Sequence, residues 1–102
     1  MYRAGDAIDQ QEWLAELDRV ASRLELESSA RTTARDIFLS SVPEDERSKQ
    51  PVLAASIYAA ALIEGDQREQ TAVAEAAGVS RLSIQKRWKP LLEANGFQAP
   101  SW

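Results

Sequence analysis

The stretch PVLAASIYAAALIEG, residues 51–65, decides how this chain folds. It begins with Pro51, which suits the first position of a helix, and stops at Gly65. Between them Val52, Leu53, Ile57, Leu62 and Ile63 point in every direction around a helical wheel, with small Ala54, Ala55, Ala59, Ala60 and Ala61 among them. A helix that is apolar all round must be buried, because any outward face would cost hydrophobic free energy. It is too short to span a membrane with any margin, so other helices of the same chain must surround it. Alanine allows several of them to approach closely at once. The spacing predicts a central helix from Pro51 to Glu64.

Working outward, the flanking sequence supplies those neighbours. Leu14, Leu17, Val20, Ala21 and Leu24 recur at spacings of three and four, one face of a helix from Asp9 to Leu26. Asp9 reads as its N-cap, with Glu12 completing a capping pattern. Ser28 or Ser29 caps a second helix that buries Ala30, Ala34, Ile37 and Phe38, and SVPEDERSKQ reads as a polar connection. After the central helix, Gln70 to Ala77 forms a short fourth helix with Val73, Ala74 and Ala77 inward. Gly78 supplies the positive φ that ends it, Val79 plugs the turn, and Ser80 caps a fifth helix. That last helix turns Ile84, Trp88, Leu91 and Leu92 inward and ends at Asn95 and Gly96, with Phe97 folding back toward Leu92. No strand pattern occurs. The expected fold is all-α: one five-helix domain over residues 9–97, with tails at 1–8 and 98–102.

Composition narrows the chemistry. The 102-residue chain has no Cys and no His, which removes disulfides, thiol chemistry, zinc fingers and most transition-metal sites. No D-x-[DN]-x-[DN]-G loop supports a calcium site, and no cofactor is expected. Neither a signal peptide nor a membrane span is visible, so the expectation is a soluble cytoplasmic protein. Glu12 and Glu16 are spaced as a solvated face without a nucleophile or acid/base partner, which argues against an enzyme. The formal charge of −4 is unevenly spread. Carboxylates crowd the first half, and the acidic, Lys-poor, Ala-rich composition suggests a salt-adapted (halophilic) proteome. From Val79 to Leu92 there is no carboxylate, while Arg81, Lys86, Arg87 and Lys89 all fall there.

That cationic stretch coincides with a helix-turn-helix pattern over residues 70–95. Ala74, Gly78 and Ile84 stand at offsets zero, four and ten: a small residue for close crossing, a glycine for the turn and a branched anchor. Helix pairs joined by a glycine turn are common, so this skeleton alone leaves a plain helical corner as an alternative. The outward residues favour nucleic acid. Arg81, Ser83, Gln85, Lys86 and Lys89 are donors suited to phosphates and base edges. Binding by counterion release depends on local neutralisation of phosphate, so an acidic chain can hold DNA through one cationic edge.

Two stretches carry a family resemblance. RSKQPVLAASIYAAA (47–61) resembles the cyclin-like core repeat of the archaeal and eukaryotic transcription factor IIB family, with its Arg-Ser start, Ala pair and Tyr. VAEAAGVSRLSIQKRWKPLLE (73–93) is similar to that family's carboxy-terminal repeat. The resemblance implies a cyclin-like fold and a DNA-binding transcription role. It implies a helix pair entering the major groove beside the TATA element, with Leu82 and Gln85 at the base-reading positions. The implied partners are promoter DNA, TATA-binding protein and RNA polymerase. The family usually carries a β-branched residue where Leu82 stands and Arg where Gln85 stands. A different target follows, since Gln suits adenine N6/N7 and Arg suits guanine O6/N7. Pro90 removes an N–H bond to the Lys86 carbonyl and implies a kink. One repeat is present where the family has two, and the zinc ribbon is missing. That leaves a stand-alone regulator, a homodimer or a fragment of a longer protein. The alternative function is a cyclin-like protein-interaction adaptor that does not touch DNA. Of the tryptophans, Trp13 is expected in the core or an interface, Trp88 in the core, and Trp102 in the tail.

Overall fold

The computed structural model describes residues 10–97; the expected cap Asp9 and the tail residue Trp102 lie outside them. Six helical segments follow one another: α1 (Gln11–Arg23), α2 (Ser28–Ser40), α3 (Glu46–Ile63), α4 (Gln70–Ala77), α5 (Arg81–Gln85) and α6 (Trp88–Ala94). No strand occurs among the described residues. The arrangement is the five-helix, cyclin-like domain expected from the sequence, with the fifth helix divided into α5 and α6.

α3 packs against each of the other five segments. Every residue from Val52 to Ala61 is buried, and Leu53, Ala54, Ala55, Ile57, Ala59, Ala60 and Ala61 are wholly sealed from solvent. Within this run Ser56 donates its hydroxyl to the Val52 carbonyl at 2.8 Å, so its burial leaves no orphan. Around α3 the core is completed by Leu17 and Val20 of α1, Ile37 and Phe38 of α2, Val73 of α4, Ile84 of α5, and Trp88 and Leu92 of α6. Trp88 stands edge-on to Tyr58 with ring centroids 5.5 Å apart, which places it in the core as expected. Trp13 is half-buried and tilted against Phe38 at 6.5 Å.

Three boundaries differ from the sequence expectation. α3 starts at Glu46, so Pro51 lies inside the helix and not at its first position. The Asp45 side chain caps it by accepting from the Arg47 N–H at 3.1 Å, and Lys49 pairs with Glu46 at 3.1 Å. This added turn and a half is solvated, so no apolar face marked it. α2 begins at Ser28 with Glu27 as its cap residue, so neither Ser28 nor Ser29 serves as N-cap. The Glu27 N–H is instead met by the Asp66 carboxylate at 2.9 Å, from the corner after α3. α1 ends at Arg23, short of Leu26, because Glu25 adopts a left-handed conformation (φ 55°). The Leu26 N–H then closes on the Ala21 carbonyl at 3.1 Å and tucks Leu26 into the core.

Asp66 and Arg68 clamp these two corners together. Arg68 donates to the carbonyls of Leu24 and Glu25 at 3.0 and 3.2 Å and pairs with Asp66 at 2.7 Å. Hydrogen bonds from the Glu27 N–H and then from Arg68 hold the Asp66 carboxyl below the ordinary carboxylate range. No helix among the described residues is long and apolar enough to cross a membrane.

Candidate nucleic-acid interface

The site is built on a tight corner between α4 and α5. Gly78 sits at φ 69°, where an L side chain would be strained, and the Val79 N–H returns to the Ala74 carbonyl at 3.0 Å. Half-buried Val79 packs on the core beneath the turn. The Ser80 hydroxyl accepts from the Ser83 N–H at 3.2 Å, so Ser80 caps α5 as its sequence position implies. Ile84 anchors α5 with no exposed surface. Gly78 thus makes the turn, and Ala74 and Ile84 are buried on either side of it.

α5 is short, and Pro90 accounts for its end. Proline has no N–H for the Lys86 carbonyl and its ring crowds that oxygen, which penalises a continuous helix there by about 3 kcal/mol. The Arg87 N–H closes on Ile84 at 3.0 Å in a tighter turn, and Leu91 starts α6 by bonding to Arg87 at 3.1 Å. The expected kink is therefore a full break at Lys86 and Arg87. Pro90 itself stands in the first turn of α6, where a missing N–H costs little. α6 ends at Ala94, and beyond the left-handed Gly96 (φ 84°) the Phe97 N–H folds back to the Leu92 carbonyl at 2.9 Å, although the Phe97 side chain stays exposed.

The break sorts the candidate residues into two groups. Arg81, Leu82 and Gln85 are exposed on the outer face of α5, and Lys86 is exposed directly after it. Leu82 is 65% exposed. Ser83 is half-buried, its hydroxyl 2.9 Å from that of Ser80. Arg87 turns back along its own segment and donates to the Ser83 carbonyl at 3.1 Å. The Lys89 ammonium lies 5.4 Å from the centre of the Trp88 ring, a cation–π position. Lys86 and Arg87 also line an apolar groove of about 440 Å³ with Ser40, Val52, Pro90 and Leu91.

Gln70, the first residue of α4, reads from the sequence only as a helix start. Its amide Nε2 donates to Gln85 Oε1 at 2.6 Å, and its Oε1 accepts from Arg81 at 3.3 Å. Nothing in its local sequence signals this, because the contact spans the turn. A second surface is acidic: Glu12, Trp13, Glu16, Glu46 and Gln50 line a groove of about 380 Å³. There the Glu16 carboxyl is held below its usual range, first by hydrogen bonding from Arg19 and then, against some desolvation, by Gln50. A carboxylate kept ionised in this way is poorly suited to act as a general acid. Among the described residues no cluster of Asp and Glu is placed to hold a metal ion.

A family model for the transcription factor TFIIB repeat matches residues 8–94, nearly all of this architecture and the whole α4–α6 region. The chain belongs to the TFIIB repeat family. Among curated relatives, transcription initiation factor IIB 1 of Thermoplasma volcanium is 41% identical over 80 residues, covering 76% of this chain and 26% of the relative. Transcription initiation factor IIB 3 of Halobacterium salinarum is 36% identical over 84 residues, 79% of this chain and 26% of the relative. Transcription initiation factor IIB 2 of Thermococcus kodakarensis is 32% identical over 87 residues, 82% of this chain and 28% of the relative. This TFIIB repeat thus spans about a quarter of the length of the relatives it matches.

Proposed function

We propose that this repeat binds duplex DNA near promoters through the outer face of α5, as a non-enzymatic transcription factor or regulator. The observation that carries the reading is the edge formed by Arg81, Leu82, Gln85 and Lys86, exposed together on and directly after a helix whose opposite side is anchored by Ile84. Donors on that edge suit phosphates and base edges, and an exposed leucine suits the thymine methyl group. The carboxylate-free stretch from Val79 to Leu92 lets the edge approach phosphate while the acidic remainder of the chain is repelled from it. Arg87 and Lys89, both partly engaged within the domain, serve as flanking phosphate contacts. The relatives are named as initiation factors, which supports TATA-binding protein and RNA polymerase as partners. A single short helix with few cations gives little affinity in concentrated salt, so a second cyclin-like unit, in a homodimer or a longer chain, completes the binding unit.

The test is a selection from randomised duplexes in concentrated potassium salt, with and without TATA-binding protein. The expected result is an enriched motif whose discrimination at one base pair falls by about 1–3 kcal/mol in Gln85→Ala. Lys86→Ala should weaken binding to all sequences and lower the salt slope by about one. The groove lined by Val52, Pro90 and Leu91 supports a second reading as a protein-interaction adaptor. It wins if both substitutions leave duplex binding unchanged.

A further inference from the structure

Gln85 is not free to choose which end of its amide it shows to DNA. Arg81 can only donate hydrogen bonds, so the Gln70 atom 3.3 Å from its guanidinium must be the carbonyl oxygen. That fixes the polarity of the Gln70 amide and turns its NH₂ toward α5. An NH₂ group can also only donate, so the Gln85 atom 2.6 Å away must be Oε1. One lone pair of Gln85 Oε1 is thereby engaged, and its NH₂ is the end not drawn into the relay. Polarity passes from Arg81 through Gln70 to Gln85, across the turn that joins α4 to α5. Gln70 is well placed to hold it, being half-buried at the start of α4, directly after the cap residue Glu69.

We propose that Gln70 is a positioning residue that sets the base preference of Gln85, making it a donor toward an acceptor edge, that of guanine. The inference rests on the reading of α5 as a duplex-binding helix. An unconstrained glutamine pairs with adenine through two bonds, accepting from N6 and donating to N7. With Oε1 occupied by Gln70, the accepting half of that pair meets competition, while guanine offers N7 and O6, both acceptors. Cytosine presents an N4 donor that would face another donor. The preference expected of Gln85 by itself, adenine, is thus shifted by a neighbour fifteen residues earlier in the chain.

Four proteins test this with four duplexes: the full chain, Gln70→Ala, Gln70→Glu and Gln85→Ala, against the selected site and its three replacements at the base pair that Gln85 is proposed to read. The parent should favour guanine over cytosine by about 5- to 100-fold. Gln70→Ala frees Oε1 and should move the preference to adenine, with an unchanged salt slope. Gln70→Glu has the sharper outcome. Its carboxylate accepts from Arg81 and from the Gln85 NH₂, turning Oε1 outward, so the preference should move to the donor edges of cytosine and adenine. Glutamate at the first position of a helix is compatible with the helix dipole, and unchanged far-ultraviolet circular dichroism would confirm that the fold persists. A merely structural role for Gln70 would weaken all four complexes alike. If both Gln70 variants keep the parent's ranking while Gln85→Ala loses it, this inference is overturned and DNA reading stands. If Gln85→Ala also leaves affinity and ranking unchanged, both fall together.

Discussion

Ala55→Leu is the substitution that tests the architecture most severely. Ala55 has no exposed surface and sits mid-way along α3, the helix that touches every other segment. Leucine adds three carbon atoms, which would contribute roughly 2.4 kcal/mol if a space existed to receive them, at about 0.8 kcal/mol per buried CH₂. No such space is provided by a row of sealed alanines packed against neighbours on all sides. The added atoms must displace side chains or helices, and overpacking of this kind costs about 1–3 kcal/mol. For a domain of this size each kcal/mol moves Tm by about 4–8 °C, so a fall on the order of 10 °C is expected. Thermal and urea unfolding followed by circular dichroism measure it. Ala15→Leu, on the exposed side of α1, is the control and should stay within about 0.5 kcal/mol of the parent. A Tm for Ala55→Leu equal to or above that of the parent would show that α3 is not the crowded centre of the fold.

Two further outcomes concern charge. The Asp66 carboxyl is depressed in the folded protein, so its contribution to stability is fully present above its unfolded value and is lost as pH falls through the native one. Urea midpoints of the parent should therefore fall across the acidic carboxylate range, while Asp66→Asn should start lower at neutral pH and show a flatter acid limb. Exposed Glu12, Glu25, Glu27 and Asp36 give α1, α2 and their corner a dense acidic surface, whose self-repulsion is screened over about 3 Å in molar salt but reaches about 10 Å at 0.1 M. Tm should rise steadily with KCl; full stability in dilute buffer would remove the inference of salt adaptation.

The parts of this fold that were legible in the sequence are those where side-chain chemistry is local. The all-round apolar run of α3 gave its burial, and Gly65, Gly78 and Gly96 each adopt the left-handed conformation that ends a helix. Glu25 does the same without glycine's freedom, so α1 ends three residues before the point its apolar spacing predicts. The Glu46–Gln50 turn is held by an aspartate cap and an ion pair on a solvated surface, where hydrophobic periodicity has nothing to report. At the candidate interface the turn, cap and anchor could be read from Gly78, Ser80 and Ile84. What escaped was relational: the Arg81–Gln70–Gln85 relay and the Asp66–Arg68 clamp join residues that only folding brings together. Pro90 announced a kink, but the extent of the break depended on Trp88 and Leu92 being fixed in the core on its far side.

The most direct measurement of the central claim is a map of the surface that meets DNA. In a titration of the isotopically labelled full chain with the selected duplex, backbone and side-chain amide resonances report contact residue by residue. The account predicts the largest perturbations at Ser80 to Lys86 and at the side-chain amide of Gln85. Glu12, Glu16 and Glu46 on the acidic groove should stay unmoved, and Lys86→Ala should require more duplex for the same shift. Perturbations absent from α5, or centred instead on the groove between α2 and α6, would contradict it.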